Sequence, residues 1–535
     1  MSDAPTIVLD AHAALSCPLA TFNAWSPGVD RPDQPARLPM PGSAAFRERV
    51  VAALLGSAGT VVDLRRLPDD ACLDAMAARA DVIIGGSLPS DPETHRRGRV
   101  PLLVRDPAGY RPAIIRYHRL LQAGATLPYS RLDAPSVPLT RSGVAYRWQS
   151  RLDNALQLAH YWRMLDALGQ ASPDRWGGVV GLDEVDGRPV IAWVPLDATD
   201  EPNALALYDA EFAECVQVAE RAVAGEPADL EPLVTRECSW CRWWPACRPR
   251  LHEDDLGLRL PNSHLNRAEL LGLRAAGVRS VTDLAGADLD RLLDRLPLAS
   301  QRPGFDERLA TAQRRARLTL AGVELERATT EAIDVPAAPL EIDIDLETSR
   351  DDRVYLWGFW VSDADTGESG YRSFAAFEHL DDAGEFELAR TALTWLRERV
   401  AGADALVYHY SEYETVRIAR LAQASGDPAI EWADRWARSG FVDLFPIVQR
   451  HFFGTNGLSL KVVAHAGAGF SWRDADPGGL NSMAWFEDAV GGDTEEIRAR
   501  ARTRVLEYNE DDVRATVALR RWLGESGPGS DRVPG

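Results

Sequence analysis

The residues best suited to chemistry begin in the segment EIDIDLE (341–347), where acids alternate with apolar side chains, the period of a β-strand. Side chains two apart share a strand face. Asp343, Asp345 and Glu347 should therefore point one way while Ile342, Ile344 and Leu346 pack behind. A row of like charges is costly to bury unless a cation sits among it. Two readings stay open: a divalent-metal site, or an acidic edge strand facing solvent. A second pair is Tyr508 and Asp512 in VLEYNEDDVRATVALRRWL, four apart and so neighbours on one helix face. A third candidate is CSWCRWWPAC, where Cys238, Cys241 and Cys247 form a C-x2-C-x5-C array. Three thiolates at that spacing can wrap one metal centre whose fourth ligand comes from elsewhere.

The elements needed to position the acids can be read around them. Segments 354–363 and 370–377 are expected to be strands of a meander, 383–400 an amphipathic helix and 403–410 a further strand, with another helix running on from Tyr413. That order, starting with an acidic strand, is the order of the RNase H-like fold. The section resembles the tyrosine-bearing branch of the DEDD exonuclease superfamily. Its D-x-E, the acid of the helix after the fourth strand, and its Y-x-x-x-D fall on Asp345 and Glu347, on Glu414, and on Tyr508 with Asp512. The resemblance implies a 3′→5′ exonuclease using two Mg²⁺ or Mn²⁺ ions, roughly 4 Å apart. Oxygen ligands suit these ions. Asp345 would bridge them, Glu347 and Asp512 would complete one site, Glu414 would reach in from the other side, and Tyr508 would orient the attacking water. The superfamily usually has Asp where this chain has Glu414, which keeps the charge and adds a methylene. Lys461, the single lysine of the chain, is a candidate phosphate contact or simply an exposed cation. Asp404 and Asp443 read as a strand end and a helix cap.

The cysteine array resembles the iron–sulfur nucleases of the RecB-like family, including CRISPR-associated and AddB-type members. The resemblance implies a fourth ligand far upstream, here Cys17, and a [4Fe–4S] cluster on Cys17, Cys238, Cys241 and Cys247. Zinc is the alternative, since four thiolates suit it as well. Cys72 and Cys215 read as small core residues. RecB-like nucleases cut with a PD-(D/E)XK site followed by a Q-x-x-x-Y helix. Gln157 and Tyr161 match that helix, but Pro101, Ile114 and Arg116 stand where the Asp, the second acid and the lysine belong. Arginine does not replace a positioned lysine point charge. A degenerate, catalytically dead PD-(D/E)XK (restriction-endonuclease-like) domain is the expectation.

The formal net charge is −21, yet residues 95–151 hold eleven arginines against Asp106 and Asp133. Such a basic island reads either as a nucleic-acid track or as a solvated arginine-rich face. Arg96, Arg97, Arg99 and Arg116 are its candidate binding residues; Gln157 and Tyr161 of the Q-x-x-x-Y helix and Lys461 of the C-terminal section are the other nucleic-acid-binding candidates. Between the two sections, 270–290 reads as helix, turn at Ala276-Gly277-Val278, and helix. It resembles the helix–hairpin–helix modules that grip nucleic-acid backbones through turn amides, although plain helical linkers share the pattern.

The expected architecture is α/β. A RecB-like domain would cover 1–252, a helical linker domain without strands 255–333, an RNase H-like exonuclease domain 338–525, and a disordered tail 526–535. The layout resembles a group of bacterial RecB-like predicted nucleases ending in a YprB-type RNase H-like domain. It implies trimming of single-stranded ends, DNA favoured over RNA, with the N-terminal domain as a binding platform and a helicase as a possible partner. A non-catalytic nucleic-acid-binding scaffold is the alternative, and an iron–sulfur redox protein a third reading that no flavin, nicotinamide or P-loop fingerprint supports. No run of eighteen uncharged apolar residues occurs, so no membrane span is expected. The first twenty residues lack the basic start of a secretory signal. Six cysteines, three of them crowded, fit a reducing compartment, and a cytoplasmic location is expected.

Overall fold

The apolar runs of the N-terminal section, VIIGG, PLLVR and AIIRY, are continuous rather than alternating because their sheet is covered on both faces. In the computed structural model, which describes residues 5–29, 32, 43–68, 70–147, 152–198, 203–296, 304–475 and 478–525, Ile83 and Leu103 enter one core while Val82, Ile84, Leu102 and Val104 enter another. The strands are β1 (Val61–Asp63), β2 (Val82–Asp91), β3 (Arg96–Asp106), β4 (Gly109–Ile115), β5 (Leu121–Arg131), β6 (Ala134–Tyr146), β7 (Trp176–Val185) and β8 (Arg188–Pro195). They form one mixed sheet in the order β1-β2-β3-β4-β7-β8-β5-β6. β2, β3 and β4 make an antiparallel meander, and β7 returns parallel to β4 with Ile114 opposite Val179. A parallel return needs a crossover. The buried helix Leu152–Ala167 lies on that path.

Contacts divide the chain into two compact units, 1–232 with 237–251, and 233–236 with 252–535. The helical section therefore shares a unit with the section that follows it. The expected tail at 526–535 lies outside the described residues. Among the described residues no helix is long and apolar enough to cross a membrane.

In the second unit, helices Arg267–Ala275, Val281–Gly286, Leu289–Leu293 and Phe305–Ala321 gather around Leu270, Leu273, Val281, Leu284 and Leu309. Capping boxes start two of them, Asn266 with Glu269 and Ser280 with Asp283. The amides around the turn have partners within the protein. Gly277 and Val278 donate to the carbonyls of Arg274 and Leu273, Arg279 and Ser280 to the Asp283 carboxylate, and Thr282 to Asp254. Each of these amides already has a carbonyl or carboxylate partner within the protein. The section also contains a strand, β9 (Leu325–Arg327). Three residues are too short to show a period, which is why the sequence hides it.

The last section folds as a mixed sheet of β10 (Leu340–Thr348), β11 (Val354–Asp363), β12 (Ser369–Ala375), β13 (Ala405–His409) and β14 (Phe441–Asp443). Its order is β12-β11-β10-β13-β14, antiparallel across β12, β11 and β10 and parallel from β10 to β14. A further strand, β15 (Phe452–Gly454), pairs antiparallel with β9. Ile342, Ile344 and Leu346 pack with Ala389, Leu393 and Leu396 of helix Asp382–Val400. The opposite face of β10, which carries the acids, meets the helix Glu495–Glu525.

Candidate metal centre

Glu341, Asp343, Asp345 and Glu347 share one face of β10, but only half of this row has a cationic partner. Arg520 donates from Nη2 to Asp343 Oδ2 at 2.9 Å and also pairs with Glu341. Asp343 is fully buried, and burial raises its carboxyl to about 6 against the pull of Arg520. Arg520 lies eight residues beyond Asp512 on the same helix, so it reaches the row from the same side. The acids left over are Asp345 and Glu347.

Asp345, Glu347 and Asp512 each bring one carboxylate oxygen within 4.8 Å of the others. Among the described residues no other three His, Cys, Asp or Glu ligand atoms converge as closely. Each acid is aimed by a neutral donor. Asn509 Nδ2 donates to Asp345 Oδ2 at 2.7 Å, and Tyr371 Oη holds Asn509 Oδ1 at 2.6 Å. Ser482 Oγ donates to Glu347 Oε2 at 2.7 Å, and Trp472 Nε1 to Asp512 Oδ1 at 2.6 Å. Gly358, opposite Asp345 in the sheet, leaves the room Asn509 needs: a Cβ there would stand 1.8 Å from Asn509 Oδ1.

Glu414, in the first turn of helix Tyr413–Ser425, is buried. Its Oε2 has no hydrogen-bond partner among the described residues. His409 Nδ1 stands 3.5 Å away, but that nitrogen bonds the Ser411 carbonyl oxygen at 2.5 Å. The His409–Glu414 contact is therefore electrostatic attraction without a good hydrogen bond. Asp443 caps helix Leu444–His451 through the Phe445 amide, and Asp404 precedes β13.

Lys461 acts on three of these acids, Asp345, Glu347 and Asp512, and His409 on the fourth, Glu414. Burial, then the charges of Asp512, Glu347 and Glu414, hold the Asp345 carboxyl well above the usual range. Burial and the Asp512 charge push Glu347 up to about 8. Asp512 and Glu414 are raised by burial too, while Lys461 pulls Asp512 down and His409 pulls Glu414 down. Lys461 Nζ donates to Tyr508 Oη at 2.8 Å and lies 4.8 Å from its ring centre. Burial and the neighbouring acids push the Tyr508 hydroxyl far up, so it remains a neutral donor. An all-oxygen donor set with an orphaned buried carboxylate oxygen fits Mg²⁺ or Mn²⁺. Sequence reasoning missed Asn509, Tyr371, Ser482, Trp472 and Arg520. Only Arg520 left a trace, its helical spacing from Asp512.

The residues expected to bind nucleic acid in the first unit are placed differently, and most have partners within the protein. Arg116 Nε donates to Asn154 Oδ1 at 2.7 Å, its Nη2 bonds Gln157, and Gln157 Nε2 donates to Tyr161 Oη at 3.2 Å. Gln157 and Tyr161 are buried, so this chain closes on itself. Arg96 lies 4.8 Å from the Phe212 ring centre and donates to Tyr208 Oη at 3.0 Å. Arg99 donates to the carbonyls of Gly85 and Leu64, and both Arg97 and Arg99 are exposed. The basic island is a feature of the sequence more than of the surface. Acids distant in the chain pair with its Arg105 (Asp81), Arg111 (Asp174) and Arg141 (Asp186).

Cys17 occupies the N-cap of helix Pro18–Trp25, Cys238 a short 3-10 turn, and Cys247 the end of helix Trp244–Cys247. The Cys247 thiol is pushed up to about 11 by burial and by Cys17, Cys241 and Cys238. The four sulfurs do not supply a group of three within 4.8 Å of one another, as a preformed tetrahedral zinc site would. Cys72 and Cys215 are buried in the core.

Residues 342–524 match the RNase_H_2 family of the RNase_H superfamily, whose members generally hydrolyse phosphodiester bonds. That stretch contains β10 to β15 and Asp345, Glu347, Glu414, Lys461, Tyr508 and Asp512. The section is therefore an RNase H-like domain whose acidic cluster is compatible with a metal-dependent nuclease. Comparison with curated proteins found no match.

Proposed function

We propose that this protein is a two-metal 3′→5′ exonuclease that trims single-stranded ends, DNA in preference to RNA. One observation carries the reading: half-buried Asp345 and buried Glu347 and Asp512 converge and are under-compensated, with Glu414 Oε2 orphaned nearby. Asp345, Glu347, Asp512 and Glu414 would hold two Mg²⁺ or Mn²⁺ ions. Bound there, the ions supply Lewis-acid activation of water and stabilisation of the leaving oxygen. This chain's own residues do the rest. Asn509 and Ser482 fix the carboxylates before metal arrives, so little reorganisation is needed. The Tyr508 hydroxyl, kept protonated and held by Lys461, orients the attacking water. Lys461 places a positive charge beside the phosphate.

The N-terminal unit acts as a platform in this reading. A three-stranded meander, a crossover helix bearing Gln157 and Tyr161, and a parallel return strand support a degenerate PD-(D/E)XK core, with Arg116 locked where a catalytic lysine would stand. Cys17, Cys238, Cys241 and Cys247 would hold a [4Fe–4S] cluster tying the two ends of that unit together, in a reducing cytoplasm. The collapsed Arg116 network favours the alternative for this unit alone, a scaffold without chemistry.

The test is digestion of 5′-labelled single-stranded DNA and RNA with Mn²⁺ or Mg²⁺, beside an Asp345→Asn/Asp512→Asn protein. The expected result is a metal-dependent ladder shortening from the 3′ end, faster on DNA and absent in the variant. Intact substrate under all conditions, from protein that binds it, overturns the exonuclease in favour of the scaffold.

A further inference from the structure

Beside the acidic cluster lies a pocket of about 660 Å³ that includes Arg315, Tyr410, Phe445, Phe453 and Leu458 in its wall. Its size falls in the range that holds a small ligand. Two of its borders are continuous with the site. Tyr410 and Ser411 follow directly on His409 at the end of β13, and Ser459 and Leu460 lead into Lys461. The third border is the helix Phe305–Ala321 of the helical section, through Arg315.

Arg315 is an unusual wall residue. It is 8% exposed, and among the described residues no carboxylate pairs with it. One guanidinium nitrogen, Nη1, bonds the Asn262 carbonyl, while Nε has no partner among the described residues. Burial alone lowers its pKa. A buried cation without a counter-ion, in a chain of net charge −21, is costly unless an anion meets it. Aromatic faces complete the wall. Phe445 packs edge-on to Tyr410 at 5.6 Å, and Phe453 lies beneath the Arg314 guanidinium at 4.2 Å. Aromatic side chains beside a cation make a stacking platform for single-stranded nucleic acid.

We infer that this pocket holds one nucleotide of the substrate strand, its base against Phe445 and its phosphate on Arg315. The inference rests on the nuclease reading and gives the helical section a place in substrate binding that its occupied turn amides do not. It predicts that the strand is gripped outside the metal centre, by residues that take no part in cleavage.

The probe is a short single-stranded DNA carrying 2-aminopurine near its 3′ end, titrated into full-length protein in EDTA so that binding is read without cleavage. Wild type should quench the fluorescence by stacking. Arg315→Met should bind about tenfold more weakly and lower the salt slope by about one phosphate contact. Phe445→Leu should lose most of the quench and keep the salt slope. Arg438→Gln, on an exposed helix face, should behave as wild type. Thermal melts check each fold, and Phe445→Leu carries the test if Arg315→Met melts early. Wild-type affinity, quench and salt slope in the folded variants overturn the pocket. Absence of cleavage with Mn²⁺, by contrast, overturns the exonuclease reading and leaves the binding result standing.

Discussion

Two polar centres, one in each unit, were built from similar materials and ended differently. In the first unit Tyr161, Gln157, Arg116, Asn154 and Tyr146 are linked in one run of hydrogen bonds. In the second, Asp345, Glu347 and Asp512 are held in place by neutral donors, Glu414 Oε2 has no hydrogen-bond partner among the described residues, and Lys461 and His409 stand against their charge. Buried polar groups that satisfy one another stabilise a fold, whereas those left uncompensated call for a ligand. The difference locates chemistry better than charge density along the chain does, since the arginine-rich stretch proves to be largely paired.

The largest effect should come from setting one centre against the other. Glu347→Gln is expected to lower cleavage on the order of 10³-fold, while Gln157→Leu changes the rate less than about twofold; equal losses would erase the contrast. Stability should respond in the second unit to Arg520→Met, which leaves the fully buried Asp343 without its partner. Breaking such a pair costs about 3–5 kcal/mol. Arg116→Met strands only neutral groups, at about 1–3 kcal/mol, and urea melts of both variants measure the gap.

Metal should act on one centre only. At a hundred times its Kd a divalent ion stabilises by about 2.7 kcal/mol, read as a rise in Tm that Asp345→Asn abolishes. The pH dependence has a definite sign. Glu347 is raised in the fold to about 8 from an ordinary 4.5, and its neighbours move the same way. The folded metal-free protein therefore holds more protons than the unfolded chain. Its stability is greatest below about 4.5, as far as this group goes, and is lost as pH rises through about 8. Bound metal keeps the carboxylates ionised, so the gain from Mn²⁺ should be larger at pH 8 than at pH 6. A gain independent of pH would contradict the placement of the ions. The smallest effect is expected from Gly358→Ala, which pushes Asn509 off Asp345 and should weaken metal affinity about 10–100-fold, measured by Mn²⁺ titration.

Much of the metal centre was legible because its signals are local. Period two marked β10, and β11 spans the 354–363 read from its apolar run. A spacing of four placed Tyr508 beside Asp512. What escaped depends on distant partners. Nothing near Asp343 announces Arg520, 177 residues away, and nothing near Glu347 announces Ser482. For the same reason the arginine island looked free, because Asp81, Asp174 and Asp186 reach it only through the fold. In the helical section the partners are local instead: carbonyls of the preceding helix take the amides of Gly277 and Val278, and acids take those of Arg279, Ser280 and Thr282.

The single lysine has a practical corollary. Apart from the chain terminus, a reagent that acylates amines finds one address in 535 residues, and that address is the nitrogen bonded to Tyr508. A lysine-specific protease likewise has one bond to cut, dividing the chain between the strand that carries Asp345 and the helix that carries Asp512. Mass spectrometry after either treatment would report on the access and occupancy of the centre without any substrate present.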